Sequence, residues 1–303
     1  MGLHIPSHRL LPMHQSIPHI AFTGVDPDYA FQSLVNESYT RWVGGYTGSS
    51  LIFQLKTMLA AWATVGEGNS TITADPRQRE AYEGFLTILK KIIPPEIGFL
   101  RVSIQPPEVM LITRSGEFLI DAASGGLATL IEIAALIYTC SIRPEIGGGK
   151  FVVTFDEPEN HLHPSLQRSL LPSLVEAFPN VQFIVATHSP FIVSALKESN
   201  VYVLTHSHPE LSEMFDQTLE RRIESVRLDY ANRAGTASEI LRDVLGVPIT
   251  LPVWVEKELS LIVEKYRALP INEVELSRLR DDLRRAGLDE LFPEALTSLG
   301  RNR

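Results

Sequence analysis

The chain has 303 residues, 44 % of them hydrophobic and 21 % charged, the proportions of one large or two modest globular domains. A net charge of −9 excludes a surface that is basic all over, so indiscriminate nucleic-acid binding is not the default, although a local basic groove stays open. Cys140 is the single cysteine, which excludes an internal disulfide or a cysteine metal cage and suits a reducing cytosol. Residues 1–20, punctuated by proline and histidine, show no clear period and lack the continuous apolar stretch of a signal peptide. From 28 to 92 the pattern is helical. Leu51, Leu55, Met58, Leu59 and Trp62 recur at helical spacing, as do Tyr82, Phe85, Leu86 and Leu89. GEGNST (66–71) reads as a loop between them, and Asp75-Pro76 as an N-cap with proline in the first turn.

The character changes near residue 97. Phe99–Ile104 and Val109–Thr113 read as strands, and Arg114–Glu117 as a turn into a third at Phe118–Ile120. Ser124-Gly125-Gly126 opens a helix that runs to about Tyr138 and is apolar nearly all round, hence buried. The longest apolar run, Leu127–Cys140, is broken by Thr129 and Glu132 and falls short of the ~18 residues of a membrane span. Strand Phe151–Phe155, helix 165–178, strand Val181–Ala186, a helix from Ser189-Pro190 and strand Val201–Thr205 then follow. That alternation predicts a parallel α/β sheet, and its solidly apolar strands predict cover on both faces. After about 207 the chain turns charged, with helices expected at 236–245, 254–267, 272–286 and 289–298. SRLRDDLRR (277–285) is most simply a solvated helix face.

Asp156-Glu157 ends an apolar strand. Two adjacent carboxylates on a rigid strand end suit nucleotide hydrolysis: the first holds Mg²⁺ through water, the second polarises the attacking water. Alone, such a pair is as readily a surface turn, and the flanking sequence decides. Ser124-Gly125-Gly126 lets backbone approach a phosphate closely at an electropositive helix start, or serves as a plain helix cap. His161 with His163, and His206 with His208, fall short of the three or four ligands that zinc wants.

With its flanks, FDEPENHLHP resembles the Walker B and D-loop segment of ABC-type ATPases of the SMC, RecF and overcoming-lysogenisation-defect (OLD) kind, within the AAA ATP-binding group. The resemblance implies that Asp156 is the magnesium residue and Glu157 the general base. Asn160 and His161 would lie in the D-loop that meets the partner subunit. ATHSP (186–190) resembles the switch-histidine motif, so His188 would reach the γ-phosphate. DAASGGLATLIEI resembles the family's signature motif but departs from LSGGQ at Ala123 and Leu127. On that match Ser124, Gly125 and Gly126 act in trans on the other protomer's nucleotide. AGTASEILRDVLGVP (234–248) loosely resembles a segment found after the core in OLD-like proteins; its plainer reading is an amphipathic helix with Gly246 as C-cap and Pro248 after it.

The family's P-loop, GxxxxGK[ST], is not in these 303 residues. The opening IPSHR resembles the strand after the P-loop helix. The expectation is therefore a chain that starts after the P-loop, with that motif encoded upstream. Two alternatives stay open: a natural half that pairs with another protein, and a non-hydrolytic ATPase-like regulatory or scaffold subunit. The expected fold is α/β, the C-terminal part of a P-loop NTPase lobe. Its expected divisions are 1–95, an N-terminal remnant with a helical insertion; 96–206, the ATPase core; and 207–303, a helical tail. The resemblance implies a cytoplasmic ATPase using ATP and Mg²⁺ as a head-to-tail dimer with a second copy or related subunit. An effector protein and DNA are candidate partners, in DNA repair or phage defence, and no membrane is involved.

Overall fold

The computed structural model describes residues 2–7, 9, 13–21, 23–207, 222–229, 235–245, 252–267 and 272–300. Contacts divide the chain into two units, Met1–Ala234 and Gly235–Arg303. The first runs β1 (Gly2–Ile5), α1 (Pro27–Trp42), α2 (Leu51–Glu67), α3 (Pro76–Ile92), β2 (Phe99–Gln105), β3 (Glu108–Thr113), β4 (Gly116–Leu119), α4 (Gly125–Ser141), β5 (Phe151–Asp156), α5 (Pro164–Ala177), β6 (Val181–Ala186), α6 (Pro190–Val193), β7 (Tyr202–Ser207) and β8 (Arg222–Arg227).

Helix α4 is the centre of the core. Every residue from Leu127 to Cys140 is buried, and α1, α2, α3, α5 and β1 pack around it. A helix apolar all round has no solvent face to offer, so it must be enclosed. Each large apolar side chain so enclosed contributes about 1.5–3 kcal/mol. The predicted face of α2 holds: Leu51, Leu55, Met58, Leu59 and Trp62 are all buried. Asp75 caps α3 by accepting from the Arg77 backbone N–H, with Pro76 in the first turn. Buried polar groups find partners: Trp62 Nε1 donates to the Val25 carbonyl at 3.1 Å and the Tyr138 hydroxyl to the Ala81 carbonyl at 2.8 Å. Gly84 makes room for Tyr138, because a Cβ there would fall 2.3 Å from its hydroxyl.

Strands β1, β5 and β6 form the parallel sheet, in the order β1-β5-β6. One face carries Leu3, Ile5, Phe151, Val153 and Phe155 into the core. The other face is not buried. His4 and Gln182 are exposed, Val152 and Thr154 half-buried, and Ile184 is 54 % exposed. The expectation of cover on both faces is thus corrected: among the described residues no second layer lies on this side. The apolar runs of β5 and β6 fit a doubly covered sheet, but only one cover is supplied.

A second correction concerns β7. The strand expected at Val201–Thr205 is present, but it pairs antiparallel with β8, Tyr202 opposite Arg227, outside the parallel sheet. RIESVR carries charges at Arg222, Glu224 and Arg227, and they hide a strand in a stretch that reads as helical. Strands β2, β3 and β4 form an antiparallel meander, as the turn at 114–117 predicts.

In the second unit, Thr236 and Glu239 form a capping box on the single turn α7 (Ala237–Glu239), which continues as a π-helical turn, Ile240–Val244. The expected cap at Gly246-Pro248 lies outside the described residues, as does His208. Helices α8 (Val253–Arg267), α9 (Glu273–Arg285) and α10 (Phe292–Gly300) bury Leu259, Ile262, Leu279, Leu283 and Leu299 together. The SRLRDDLRR face is solvated as read, laced with i,i+3 pairs such as Arg278–Glu275.

One polar group pins the first unit. Lys56 of α2 is fully buried, and its Nζ donates at 2.7 Å to each of Glu108, Asp121 and the Gln15 carbonyl. The pin joins α2, β3, the N-terminal segment and the turn that leads into Ser124. Breaking one side of a buried pair leaves an uncompensated charge. Lys56→Met is expected to cost about 3–5 kcal/mol, measured as a fall in the urea midpoint of unfolding; an unchanged midpoint would show that the pin is energetically idle.

Candidate functional site

Parallel pairing in register sets the site. Phe155 lies opposite Val185 and Asp156 opposite Ala186, so β5 and β6 end level. Ile5 lies opposite Phe155, so β1 ends beside them. The chain leaves all three strands at one edge of the sheet. Asp156-Glu157, the Thr187-His188 turn and the residues Pro6, Ser7 and Arg9 therefore share that edge.

The turn after β5 is built from its own side chains. Glu157 N–H donates to the Ala186 carbonyl at 2.9 Å, continuing the ladder one residue past the strand. Glu157 has φ of 44° and His161 φ of 67°, both in the left-handed region. Asn160 Nδ2 donates to Glu157 Oε2 at 2.9 Å and to the Ser7 carbonyl at 3.2 Å. His161 Nε2 lies 2.9 Å from the Arg9 carbonyl oxygen. Glu159 reaches across to β6: its Oε1 accepts from Thr187 Oγ1 at 2.7 Å and from the His188 backbone N–H at 3.0 Å. The exposed His188 ring is thereby carried on a turn fastened to the acidic loop. Ser189 caps α6 and donates to Gln167 Oε1 at 2.6 Å, tying that turn to α5.

Ser124, Gly125 and Gly126 sit at the start of α4. Ser124 Oγ accepts from the Leu127 N–H at 3.4 Å, so the cap reading holds. Gly126 lies against the acidic turn: a Cβ there would fall 2.9 Å from Leu166 Cδ1, the end of a flexible side chain, and 3.4 Å from the His161 carbonyl. The glycine pair thus abuts the Asn160-His161 turn, while Ser124 is exposed and free for a ligand outside the chain. A helix cap and a phosphate contact are compatible, since the first turn offers several N–H groups.

Two residues escaped the sequence reading. Arg9 is 4 % exposed and donates at 2.8 Å to each of the Pro6 and Glu157 carbonyls. Glu159, the second glutamate of DEPEN, is the residue that ties the two strand ends. Its place inside the motif was the available signal. Arg9 had none, since its partner stands 148 positions away.

Asp156 offers one carboxylate to a hard cation. Its carboxylate, half-buried at the strand end, makes no hydrogen bond or ion pair among the described residues. Hard cations such as Mg²⁺ take oxygen ligands of this kind. His14, Glu108 and Asp121 also converge closely enough to hold a metal, but Lys56 already supplies a cation to both carboxylates.

Residues 97–194 match the family described as "AAA domain, putative AbiEii toxin, Type IV TA system". The match takes in the glycine pair, the acidic turn and the histidine turn. Over this segment, about a third of the chain, the protein is similar to AAA-type ATPase domains. It is 40 % identical over 81 residues to the "Retron Ec83 probable ATPase" of Escherichia coli, a segment that is 26 % of this chain and 15 % of that protein. It is 29 % identical over 121 residues to the "Retron Vc95 probable ATPase" of Vibrio cholerae, 38 % of this chain and 23 % of that one. With the Septu protein PtuA of Bacillus thuringiensis it shares 28 % over 173 residues, 54 % of this chain and 42 % of the relative. The chain thus spans less than half the length of each. A solved SMC ATPase structure overlaps loosely, with TM-score 0.39 and 16 % identity, over 57 % of this chain and 94 % of that one. Among the described residues no helix is long and apolar enough to cross a membrane.

Glu132 of α4 is buried, and desolvation pushes its carboxyl up to about 8, against the opposing pull of Arg9 and Arg41. It is therefore mostly neutral at pH 7. The native state holds this proton more tightly than the unfolded chain does. The stability it confers is full below the usual glutamate range and is lost as pH rises towards 8. Glu132→Gln should remove that loss, so that wild type falls behind the variant by at most about 1.4 kcal/mol per pH unit between pH 5 and 8. Urea unfolding across that range checks it; parallel curves would contradict a neutral buried Glu132.

Proposed function

We propose that the protein binds and hydrolyses ATP with Mg²⁺, as one protomer of a head-to-tail ABC-type dimer. One observation carries the reading: level strand ends hold Asp156-Glu157 beside the His188 turn, and Glu159 fastens the two. Asp156 would hold Mg²⁺ through water, and the ion when bound would neutralise charge on the phosphates. Glu157 would act as general base, with Asn160 steadying its carboxylate. His188 would reach the γ-phosphate. Ser124 and Gly125 would contact the nucleotide held by the other protomer, and Asn160 and His161 would line the dimer contact.

A phosphate cradle is still required, because the sequence has no GxxxxGK[ST]. We assign it to a segment outside these 303 residues. The bare face of the parallel sheet supports this, since parallel sheets are normally covered on both sides. Asp156 shares that face with Val152 and Thr154. A strand and helix laid there would bring phosphate-binding groups to the magnesium residue. A GxxxxGK[ST] within the preceding reading frame supports the assignment. Its absence favours the alternative, a split or non-hydrolytic regulatory subunit, which draws on the same missing motif.

The proposed setting is phage defence, which the likeness to the retron ATPases and the Septu protein PtuA supports; a second copy or related subunit, an effector and DNA are the partners we propose for the ATPase cycle, in the cytoplasm. Glu157→Gln is expected to lower turnover about a hundredfold or more while ATP stays bound. Retained radiolabelled nucleotide alongside phosphate release measures both. Normal hydrolysis by the variant would remove Glu157 as the base.

A further inference from the structure

Arg9 follows β1 and is almost fully enclosed. Burying a guanidinium is costly, and burial pulls its pKa down, with the carboxylates of Glu159, Glu157 and Asp156 opposing. Its Nε finds no partner among the described residues. Such a cation is retained where its hydrogen bonds achieve something an apolar residue would not.

Those bonds converge on one place. Arg9 bridges the exits of two strands, donating to the Pro6 carbonyl after β1 and to the Glu157 carbonyl after β5, each at 2.8 Å. The guanidinium lies 5.3 Å from the centroid of the Phe155 ring, the last apolar residue before Asp156. Two further bonds join the same two segments, Asn160 to the Ser7 carbonyl and His161 to the Arg9 carbonyl. The segment they support holds two non-glycine residues at positive φ, Glu157 and His161. Each such conformation costs on the order of 1–3 kcal/mol and persists only where the surroundings impose it. The turn's own bonds, from the Asn160 and Leu162 amides to the Glu157 and Glu159 carbonyls, are thus joined by bonds to the segment that follows β1, the strand beside β5.

We propose that Arg9 is the positioning residue of the site: it fixes the left-handed backbone at Glu157, and through it the direction of the Glu157 carboxylate. It does not touch nucleotide. Only a planar fork reaches both carbonyls while lying over the Phe155 ring; the single ammonium of lysine keeps the charge but not that geometry. The inference rests on Glu157 being the base, so its test has one readout that does not.

The first readout is hydrogen exchange on the full chain. The Asn160 and Leu162 amides are bonded inside the turn, to the Glu157 and Glu159 carbonyls. In Arg9→Lys they should exchange about tenfold faster, while Leu127–Cys140 in α4 keeps its protection. The second readout is steady-state ATP turnover by the native ATP-hydrolysing assembly. There Arg9→Lys should lower kcat about ten- to a hundredfold with KM for ATP little changed, as a misplaced base does. Asn160→Ala, which releases the carboxylate without touching Arg9, should lower kcat in the same way and keeps the test open if Arg9 variants lose the fold. Exchange and kcat equal to wild type in Arg9→Lys would overturn the proposal. So would a rise in KM alone, which means nucleotide contact, or faster exchange throughout α4, which means a general role in the fold. A wild-type assembly without turnover would sink the proposed function, and the exchange readout would still decide the role of Arg9.

Discussion

The level ending of three parallel strands is the constraint on which the rest depends. A one-residue slip of β5 against β6 would turn Asp156 to the other face of the sheet, because side chains alternate along a strand. The register is held by the core face, where Phe151, Val153 and Phe155 pack under the α4 layer. Chemistry at the edge is thus specified by hydrophobic contacts well below it. The edge itself adds short-range fastenings: Glu159 to the His188 turn, Asn160 to Glu157, and Arg9 to the carbonyls of Pro6 and Glu157.

Two buried cations do different work in this arrangement. Lys56 is matched by two carboxylates and a carbonyl, and it joins elements of the frame that lead into Ser124. Arg9 has no such matched ion pair; it spends its donors on backbone carbonyls at a turn. The first is what a packed interior needs to keep a charge. The second sits where the backbone is strained, a pattern that accompanies sites in which geometry matters more than stability. Gly126 belongs to the same economy of space, as it lets the start of α4 close onto the His161 carbonyl.

Much of the site was legible because its chemistry lies in short contiguous strings. DEPENH and THSP each put several candidate functional residues side by side, so they are met together along the chain. Arg9 was not legible, since nothing near it in sequence distinguishes it from a surface arginine. Helices with strong periodicity, such as α2 and α3, were readable to within a few residues. β8 was not, because RIESVR shows charge before alternation. The bare face of the sheet was missed for a related reason: apolar strands say that a layer is wanted on each side, not that the same stretch of chain provides it. Ile184, an apolar residue half in solvent, marks the difference.

The central claim is that this strand edge is the magnesium-dependent hydrolytic edge of an ATPase. It is tested most directly by titrating Mg²⁺ into the native assembly with ATP and measuring phosphate release, for wild type and Asp156→Asn. The account predicts release that depends on Mg²⁺ in wild type and is lost, or shifted to far higher Mg²⁺, in the variant. Undiminished magnesium-dependent release by Asp156→Asn would contradict it.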